Sequence, residues 1–394
     1  MFNFTNREIQ VSLVILTVQF VNILDFMMIM PLGPDFAKAL DIPYESLGSI
    51  TSSYVLAAAI ATFFSARYLD VISRKLVLSV CVICLGLCLL ATPYSGLMFG
   101  IEGLIGIRAL SGVFGGLATS LALTVISDTV APEKRGRSIG FISGSFALAA
   151  VLGVPVCLWL SNSGGWQLPF KSLGVVTLTI GCTAYFLLPN EIQVRRSTRW
   201  IGIQRFLSRP KTATAMAIIF FTPFCGFLFI PNLATFIQHN LGYPRDYLGV
   251  LYATGGFCTL VSLQIAGWAV DRFPALVLAI GFSIGSALTV ILMFGFTTPF
   301  IPIGLIFSSL MIFNSARSVL ANTISSLIPT AEERGAHLAY QSTIRHLGTA
   351  SGAFVSSLVL STDDLSKLEN LPLLLTIFLI AIFIPPILIW RLRK

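Results

Sequence analysis

Charged residues are scarce in this chain of 394 residues: they make up 11% of it, whereas apolar residues make up 55%. An ordinary soluble domain carries about a quarter charged residues. So few charges cannot cover the water-facing surface of a chain this long, which would otherwise divide into domains with separate cores. The composition therefore excludes an ordinary soluble protein and indicates an integral membrane protein.

Zinc-protease, nucleotide-binding and metal-ligand patterns are also missing. The sequence has no HExxH zinc motif, no Walker glycine loop and only three histidines. Its seven cysteines lie inside apolar runs, as small packing residues do. These absences argue against an enzyme, a nucleotide-driven pump, a metal site and a bound cofactor.

Long apolar runs are what the sequence has instead. About 20 apolar residues in a helix cross a hydrocarbon core of about 30 Å, and the helix pairs all its backbone polar groups internally. The sequence therefore predicts an all-α integral membrane fold with twelve transmembrane helices. The runs are 11–33, 47–66, 76–95, 98–121, 138–160, 168–188, 213–236, 247–269, 275–297, 300–323, 337–360 and 371–390.

A basic linker at 190–212 separates six runs from six and divides the chain into an N-terminal bundle at 1–189 and a C-terminal bundle at 213–394. Cytoplasmic loops carry an excess of Lys and Arg. With both termini in the cytoplasm, 18 of the 25 basic residues fall on that side and 4 fall outside. This placement explains the net charge of +8 without a nucleic-acid partner. We expect a multi-pass protein of the plasma membrane, the inner membrane in bacteria.

The two bundles resemble each other at a nearly constant spacing. Asp70 and Asp271 are 201 residues apart, and Pro31 and Pro231 are 200 apart. The dipeptide Leu-Gly at 47–48 and 248–249, and the dipeptide Arg-Gly at 135–136 and 334–335, keep the same order. Transporters built from such repeats bind substrate near the bilayer midplane, between the repeats. The repeat therefore predicts a substrate site near the bilayer midplane, between the two bundles.

The loop after the second run resembles the loop signature of the major facilitator superfamily, a family of transporters. Asp70, Arg74 and Lys75 match that signature, although two of its glycines are replaced here, and Asp271 with Arg272 forms a partial copy in the second bundle. The resemblance implies two pseudo-symmetric six-helix bundles. It also implies that these residues lock one conformation by contacting a helix N-terminus, where a carboxylate is favourable. An ordinary basic cytoplasmic loop is the alternative.

Two further motifs resemble those of exporters in that superfamily. Arg108, followed four residues later by Gly112, is similar to the motif of the fourth span. Gly153 and Pro155 are similar to the Gly/Pro-rich motif of the fifth span, especially in the arabinose-exporter-like branch of the drug:proton antiporters. Glycine permits close helix packing and proline bends a helix, which suits alternating access. Ordinary packing and bending is the alternative.

Asp25 is the only acid near the centre of a predicted span. Burial disfavours the charged form of a carboxyl group, which suits a group that binds and releases a proton. Asn22, Arg108 and Glu102 complete the predicted proton-coupling or substrate site, with Glu102 near the end of its span, six residues before Arg108. The alternative is a structural Asp25 that is paired permanently with Arg108.

Arg317, Arg345 and His346 are predicted cavity or gate residues because they lie within later runs. Arg317 follows Arg108 by 209 residues rather than 200. We therefore expect it nearer the cytoplasm, as a gate or structural residue and not as the symmetry mate of Arg108. His346 is able to titrate near neutral pH, and a hydrogen-bonded structural histidine is the alternative.

Three functions fit these observations. The first is proton-coupled export of a small molecule by a monomer, in which Asp25 takes either a proton or a cationic substrate. The second is a symporter or facilitator for a polar or anionic metabolite, a sugar or a siderophore, in which Arg108 and Arg317 attract an anion. The third is a membrane enzyme or scaffold, which the missing catalytic motifs disfavour.

Overall fold

The computed structural model describes residues 5–68, 73–130, 138, 142, 144–146, 148–189, 208–295, 301–329, 334–364 and 366–392, and every structural statement below concerns these residues. Most of the predicted linker, 190–207, lies outside them. We call residues 5–189 the first half and residues 208–392 the second half.

Both halves consist of helices. Those of the first half are α1 (Asn6–Leu40), α2 (Leu47–Tyr68), α3 (Arg74–Thr129), α4 (Val154–Gly164) and α5 (Gln167–Leu187). Those of the second half are α6 (Pro210–Phe227), α7 (Leu233–Thr235), α8 (Leu248–Arg272), α9 (Ala275–Phe294), α10 (Ile303–Ser326), α11 (Arg334–Val359), α12 (Leu371–Ile382) and α13 (Ile384–Leu392). A short antiparallel pair, β1 (Ser361–Thr362) and β2 (Leu368–Glu369), lies between α11 and α12.

Ten helical segments of the described chain are long and apolar enough to cross a membrane, where the sequence predicts twelve. One of them, Arg74–Ile126, has 53 residues. A straight helix of that length would extend about 80 Å, far beyond the thickness of a bilayer. Its backbone leaves the helical conformation at Gly100 (φ 56°, ψ −135°), so α3 consists of α3a (residues 74–99) and α3b (residues 101–129). α11 has 26 residues and is not among the ten, since it carries more polar side chains.

α1 is a largely enclosed helix of the first half. It begins at a capping box, in which the Thr5 hydroxyl accepts from the Glu8 backbone N–H at 3.2 Å and the Glu8 carboxylate accepts from the Thr5 N–H at 2.8 Å. Buried residues occur on most of its circumference, Asp25 among them. A helix that is buried nearly all round lies inside the protein rather than at its surface. α1 therefore carries its polar side chains into the interior.

The corresponding region of the second half is broken. α6 ends at Phe227, and the chain passes through a 3₁₀ turn at Ile230–Asn232 before α7 and a π turn at Phe236–Asn240. Pro231, in this 3₁₀ turn, has no N–H to donate. Pro31, 200 residues earlier, lies inside the unbroken α1. The two halves therefore repeat in sequence here, but the helix is continuous only in the first half.

The two halves meet along α2 and α11. Tyr54, Val55 and Ala350 form one buried cluster of this contact. Towards the end of α2, the rings of Phe63 and Tyr340 lie 6.2 Å apart. The halves are therefore in contact along the length of α2.

The hydrolase pattern GxSxG occurs at residues 281–285, in the middle of α9, and a second match at 136–140 lies largely outside the described residues. In hydrolases the serine occupies a sharp turn from a strand to a helix. Ser283 instead lies within a helix and donates to the Ile382 carbonyl oxygen at 3.2 Å. The pattern at 281–285 belongs to helix packing.

Close helix packing depends on glycine at two places. A Cβ atom on Gly112 of α3b would lie 2.0 Å from the Tyr54 carbonyl oxygen of α2. A Cβ atom on Gly348 of α11 would lie 2.2 Å from the Phe220 carbonyl oxygen of α6. Small residues at membrane helix interfaces allow backbones to approach in this way.

We expect Gly112→Ala to lower the midpoint of thermal unfolding in detergent, because the new methyl group must push α2 and α3b apart at a cost of about 1–3 kcal/mol. Gly106→Ala is the matched control: it lies on the same helix, and a Cβ atom there meets nothing within 4 Å. Alanine favours a helix over glycine by about 1 kcal/mol, so the control should be at least as stable as the unmodified protein. Equal stability of the two variants would contradict the close packing.

Candidate functional site

Asp25 and Arg108 form an ion pair inside the protein. Arg108 Nη1 lies 2.5 Å from Asp25 Oδ1, and Arg108 Nη2 donates to the Asp25 carbonyl oxygen at 3.3 Å. The side chains are 0% and 1% exposed, respectively. Asp25 Oδ2 and Arg108 Nε have no hydrogen-bond partner among the described residues. The structure thus joins two predicted site residues and leaves one carboxylate oxygen unused.

Tyr54 and Asn22 hold this pair in place. The Arg108 guanidinium lies over the Tyr54 ring, 4.5 Å from its centre, and cations are attracted to aromatic faces. The Tyr54 hydroxyl donates to Asn22 Oδ1 at 3.0 Å, and Asn22 Nδ2 donates to the Gly115 carbonyl oxygen at 2.9 Å and to Thr119 Oγ1 at 2.6 Å. The predicted Asn22 therefore binds α1 to α3b. Sequence reasoning missed Tyr54, although a tyrosine within an apolar run is a usable signal.

The ion pair lies near the boundary between the halves. Phe26 follows Asp25 on α1, and its ring lies 5.6 Å from that of Tyr54 and 5.8 Å from that of Phe227. Phe227 is the last residue of α6, in the second half. A row of three aromatic rings therefore connects the surroundings of Asp25 to the broken segment after α6.

Glu102 is not part of this cluster. It lies two residues after the bend at Gly100 and is exposed, whereas Arg108 is buried. Among the described residues no hydrogen bond joins Glu102 to the Asp25 site. Its predicted coupling role receives no support from the geometry.

Gly153 and Pro155 lie between α1 and α8. Gly153 ends a π turn, Ala149–Gly153, which precedes α4. A Cβ atom on Gly153 would lie 2.7 Å from a methyl carbon of Leu24, the neighbour of Asp25, and a Cβ atom on Gly249 of α8 would lie 3.9 Å from the Pro155 Cα. Single π turns inside helices occur frequently at functional sites. The motif is thus next to the ion pair and in contact with the second half.

Four of the predicted lock residues lie at helix ends: Arg74 and Lys75 in the first turn of α3, and Asp271 and Arg272 in the last turn of α8. Arg74 is 4% exposed, and Lys75 lies over the Tyr185 ring, 4.9 Å from its centre. Asp271 is exposed, and Arg272 lies over the Trp268 ring at 4.4 Å. Asp70 lies outside the described residues, so the contact that would define a lock stays a prediction.

Arg317 reaches the position that corresponds to Asp25 in the second half. Arg317 and Cys225 line the same cavity, and Cys225 follows Asp25 by 200 residues, the spacing of the repeat. Arg317 is therefore near the counterpart of Asp25, although its spacing of 209 residues from Arg108 is not that of the repeat.

Arg345 lies in a polar network between α10 and α11. Arg345 and Gln341 both donate to Asn322 Oδ1, Gln341 at 3.1 Å. Ser325 Oγ donates to Gln341 Oε1 at 3.0 Å and lies 2.8 Å from His337 Nε2. Arg345 is exposed beside this network, and the adjoining predicted residue, His346, is half-buried. Sequence reasoning missed Asn322, Ser325 and Gln341, because uncharged polar residues are common in such helices.

A second ion pair links the halves where α1 ends. Arg245 Nε donates to Asp35 Oδ1 at 2.9 Å, Arg245 Nη2 contacts Asp35 Oδ2, and Ser161 Oγ donates to Asp35 Oδ2 at 2.9 Å. Both charged side chains are 22% exposed. We call this face of the protein the Asp35 end. The pair was missed because charges near the ends of apolar runs are ordinary, and only the fold brings these two together.

A family comparison agrees with this arrangement of helices and buried charges. The model of the Major Facilitator Superfamily matches residues 15–353. This chain belongs to the major facilitator superfamily. It is therefore an integral, multi-pass membrane transporter of small molecules and not an enzyme.

Relatives of this transporter differ in what they carry. Multidrug resistance protein 2 of Bacillus subtilis (strain 168) is 21% identical over 99% of this chain and 97% of its own length. The chloramphenicol efflux pump Rv0191 of Mycobacterium tuberculosis (strain ATCC 25618 / H37Rv) is 24% identical over 62% of this chain and 60% of its own. The solved structure of the xylose transporter XylE of E. coli has a TM-score of 0.74 at 14% identity and covers 98% of both chains. This structural likeness shows the fold.

In this transporter, substitutions at Asp25 and Arg108 should have strongly coupled effects on the free energy of unfolding. Removing one partner leaves a buried charge unpaired and costs about 3–5 kcal/mol. We expect Arg108→Met to lower the thermal unfolding midpoint markedly at neutral pH. The double variant Arg108→Met with Asp25→Asn should recover part of the loss, because no unpaired carboxylate remains.

The Asp35–Arg245 pair is the matched control for this cycle, because its side chains are partly exposed. Exposed ion pairs contribute about 1 kcal/mol or less, so Arg245→Met with Asp35→Asn should show a small coupling. The stability losses at Asp25 and Arg108 could instead be additive, or the two pairs could show equal coupling energies. Either result would show that the buried ion pair stabilises the protein no more than the partly exposed one.

Proposed function

We propose that this chain is a proton-coupled secondary transporter that exports a small molecule by alternating access. The observation that supports it best is the buried Asp25–Arg108 pair, whose second carboxylate oxygen has no partner in the described part of the chain. In this proposal the protein is a monomer of the bacterial inner membrane and uses the proton gradient without a cofactor.

Protonation of Asp25 would change the packing of α1 against α3b. A proton on Oδ2 neutralises the carboxylate and removes the attraction that holds Arg108, which is strong where water is excluded. Arg108 then keeps a weaker hydrogen bond to the uncharged Asp25 Oδ1, its contact with the Tyr54 ring and its hydrogen bond to the Asp25 carbonyl oxygen. Loading and unloading the proton therefore shifts the balance between two arrangements of these helices, which is what coupling requires.

Alternating access assigns a role to the contacts between the halves. With both termini in the cytoplasm, the Asp35 end faces outside. There the Asp35–Arg245 pair and the contact of Tyr44 with His239, whose rings are 4.9 Å apart, close the protein. Opening outward would break these contacts as the halves rock. Asp70, Arg74, Lys75, Asp271 and Arg272 would act at the cytoplasmic face.

The proposed membrane topology has twelve spans. Dividing α3 at Gly100 and adding α11 to the ten apolar segments gives this number (10 + 1 + 1). In this proposal six spans form the bundle at 1–189 and six form the bundle at 213–394, joined by the linker at 190–212.

Export is favoured by the names of the relatives that are a multidrug resistance protein and a chloramphenicol efflux pump. A second candidate is symport or facilitated passage of an anionic metabolite. Arg317 supports it, because this arginine is 5% exposed and has no ion-pair partner among the described residues.

Reconstitution in liposomes that contain a pH dye tests the proposal. A proton gradient is imposed, and tetraphenylphosphonium, chloramphenicol or benzoate is added to represent a cation, a neutral compound and an anion. We expect at least one compound to trigger proton movement opposite to its own. The response should be lost in Asp25→Asn and kept in Asp364→Asn, which changes an exposed acid between β1 and β2.

Two other results have definite meanings. Protons that move in the same direction as the compound would replace export with symport. Transport of a compound without protons by both the unmodified protein and Asp25→Asn would make Asp25 a structural residue and the protein a facilitator.

A further inference from the structure

Arg317 is a buried cation that pairs with no carboxylate among the described residues. It lies in the middle of α10, is 5% exposed, and its Nη2 atom has no hydrogen-bond partner in the described structure. The Asp25–Arg108 and Asp35–Arg245 ion pairs do not include it. A charged side chain inside a membrane protein is costly and usually serves a function.

The comparison of the two halves shows what is missing. In the first half Arg108 pairs with Asp25, and in the second half Arg317 lines the same cavity as Cys225, 200 residues after Asp25. A neutral thiol cannot balance a guanidinium. The second half thus has the arginine but no acid at the position where the first half has one.

The buried charges of the described residues leave an excess of one positive charge. Glu8 and Arg74 are at the first turns of α1 and α3, near the ends of the bundle. Among the buried charges that remain, Asp25 is negative, while Arg108 and Arg317 are positive. The sum is +1 (2 − 1), which a bound monoanion would bring to zero.

A cavity lies beside the Arg317 side chain. Arg317, Asn314 and Ser286 supply its polar lining, and most of the rest is apolar, including Phe229 and Phe378. Ligand sites typically combine an apolar lining with a few polar groups that fix orientation. The cavity has a volume of about 10 Å³, room for roughly one water molecule. All of the lining residues lie in the second half, so a larger ligand enters only when α6, α9, α10 and α12 move apart within that half.

We propose that Arg317 binds the carboxylate of an organic monoanion with an apolar body, and that such monoanions are the substrate class of this transporter. Arg317 supplies charge-assisted hydrogen bonds to the carboxylate, Asn314 adds a side-chain amide, and the phenylalanines contact the apolar body. A small inorganic anion would leave the apolar lining unused. The proposal rests on the proposed transport function and holds whether the proton moves with or against the anion.

Ligand-dependent thermal unfolding of the full chain in chloride-free buffer at neutral pH tests this assignment. The probes are benzoate, benzamide and benzylammonium, which share a ring and differ in charge, and chloride as the small inorganic anion. We expect benzoate to raise the unfolding midpoint at concentrations at least tenfold lower than the other three need.

Four variants locate the effect. Arg317→Gln should weaken benzoate binding roughly tenfold to a hundredfold, the loss expected for hydrogen bonds to a charged group. Cys225→Asp should weaken benzoate binding similarly while keeping the arginine, because the new aspartate carboxylate would neutralise Arg317 in place of the ligand. Cys225→Ser changes the same position without adding charge and should keep the preference for benzoate. Lys171→Gln, which removes a positive charge far along the chain on α5, should also keep it.

Three results would overturn the assignment: equal effects of benzoate and benzamide, stabilisation by chloride at the concentrations at which benzoate acts, or an unchanged preference for benzoate in Cys225→Asp. If Arg317→Gln does not fold, Cys225→Asp alone decides. Failure here is distinct from failure of the proposed transport function. Proton coupling that requires Asp25 would persist without a preference for anions, whereas a lost coupling with an intact benzoate site would contradict only the transport mechanism.

Discussion

The ion pair between Asp25 and Arg108 lies where surrounding helices exclude water, so neither charge can exist there alone at low cost. This constraint fixes how α1 lies against α3b. Asn22 and Tyr54 extend it by hydrogen bonds and by the ring over the guanidinium. The pair has one carboxylate oxygen without a partner among the described residues. The ion pair that holds the helices together can therefore also accept a proton.

In the proposed account each half has a buried arginine, and the two arginines have different functions. The first half balances its arginine with an acid and would respond to protons. The second half places a thiol, Cys225, at the corresponding position, and its arginine borders an apolar cavity next to the break after α6. Phe26 and Phe227 touch between the two places. A change in either half can therefore reach the other through direct contact.

Sequence reasoning succeeded where burial imposes a large free-energy cost. A lone Asp25 and a lone Arg108 within apolar runs are conspicuous because burial without a partner is so unfavourable, and their pairing was one of two interpretations. Tyr54 and the Asp35–Arg245 pair were missed, since a hydroxyl costs little and charges near helix ends are common. That Arg317 is a gate or structural residue, as its spacing of 209 residues from Arg108 predicted, stays a prediction. The predicted lock stays untested, as Asp70 lies outside the described residues.

The most direct test of the account is whether Asp25 itself takes up the proton. Infrared difference spectra of the protein in lipid, recorded across a pH titration, report the C=O stretch of a protonated carboxyl group. The account predicts a band that appears as the pH falls, shifts when a transported compound is added, and is missing in Asp25→Asn. A band that survives unchanged in Asp25→Asn, or a spectrum in which no such band responds to the compound, would contradict a role for the Asp25–Arg108 pair in coupling.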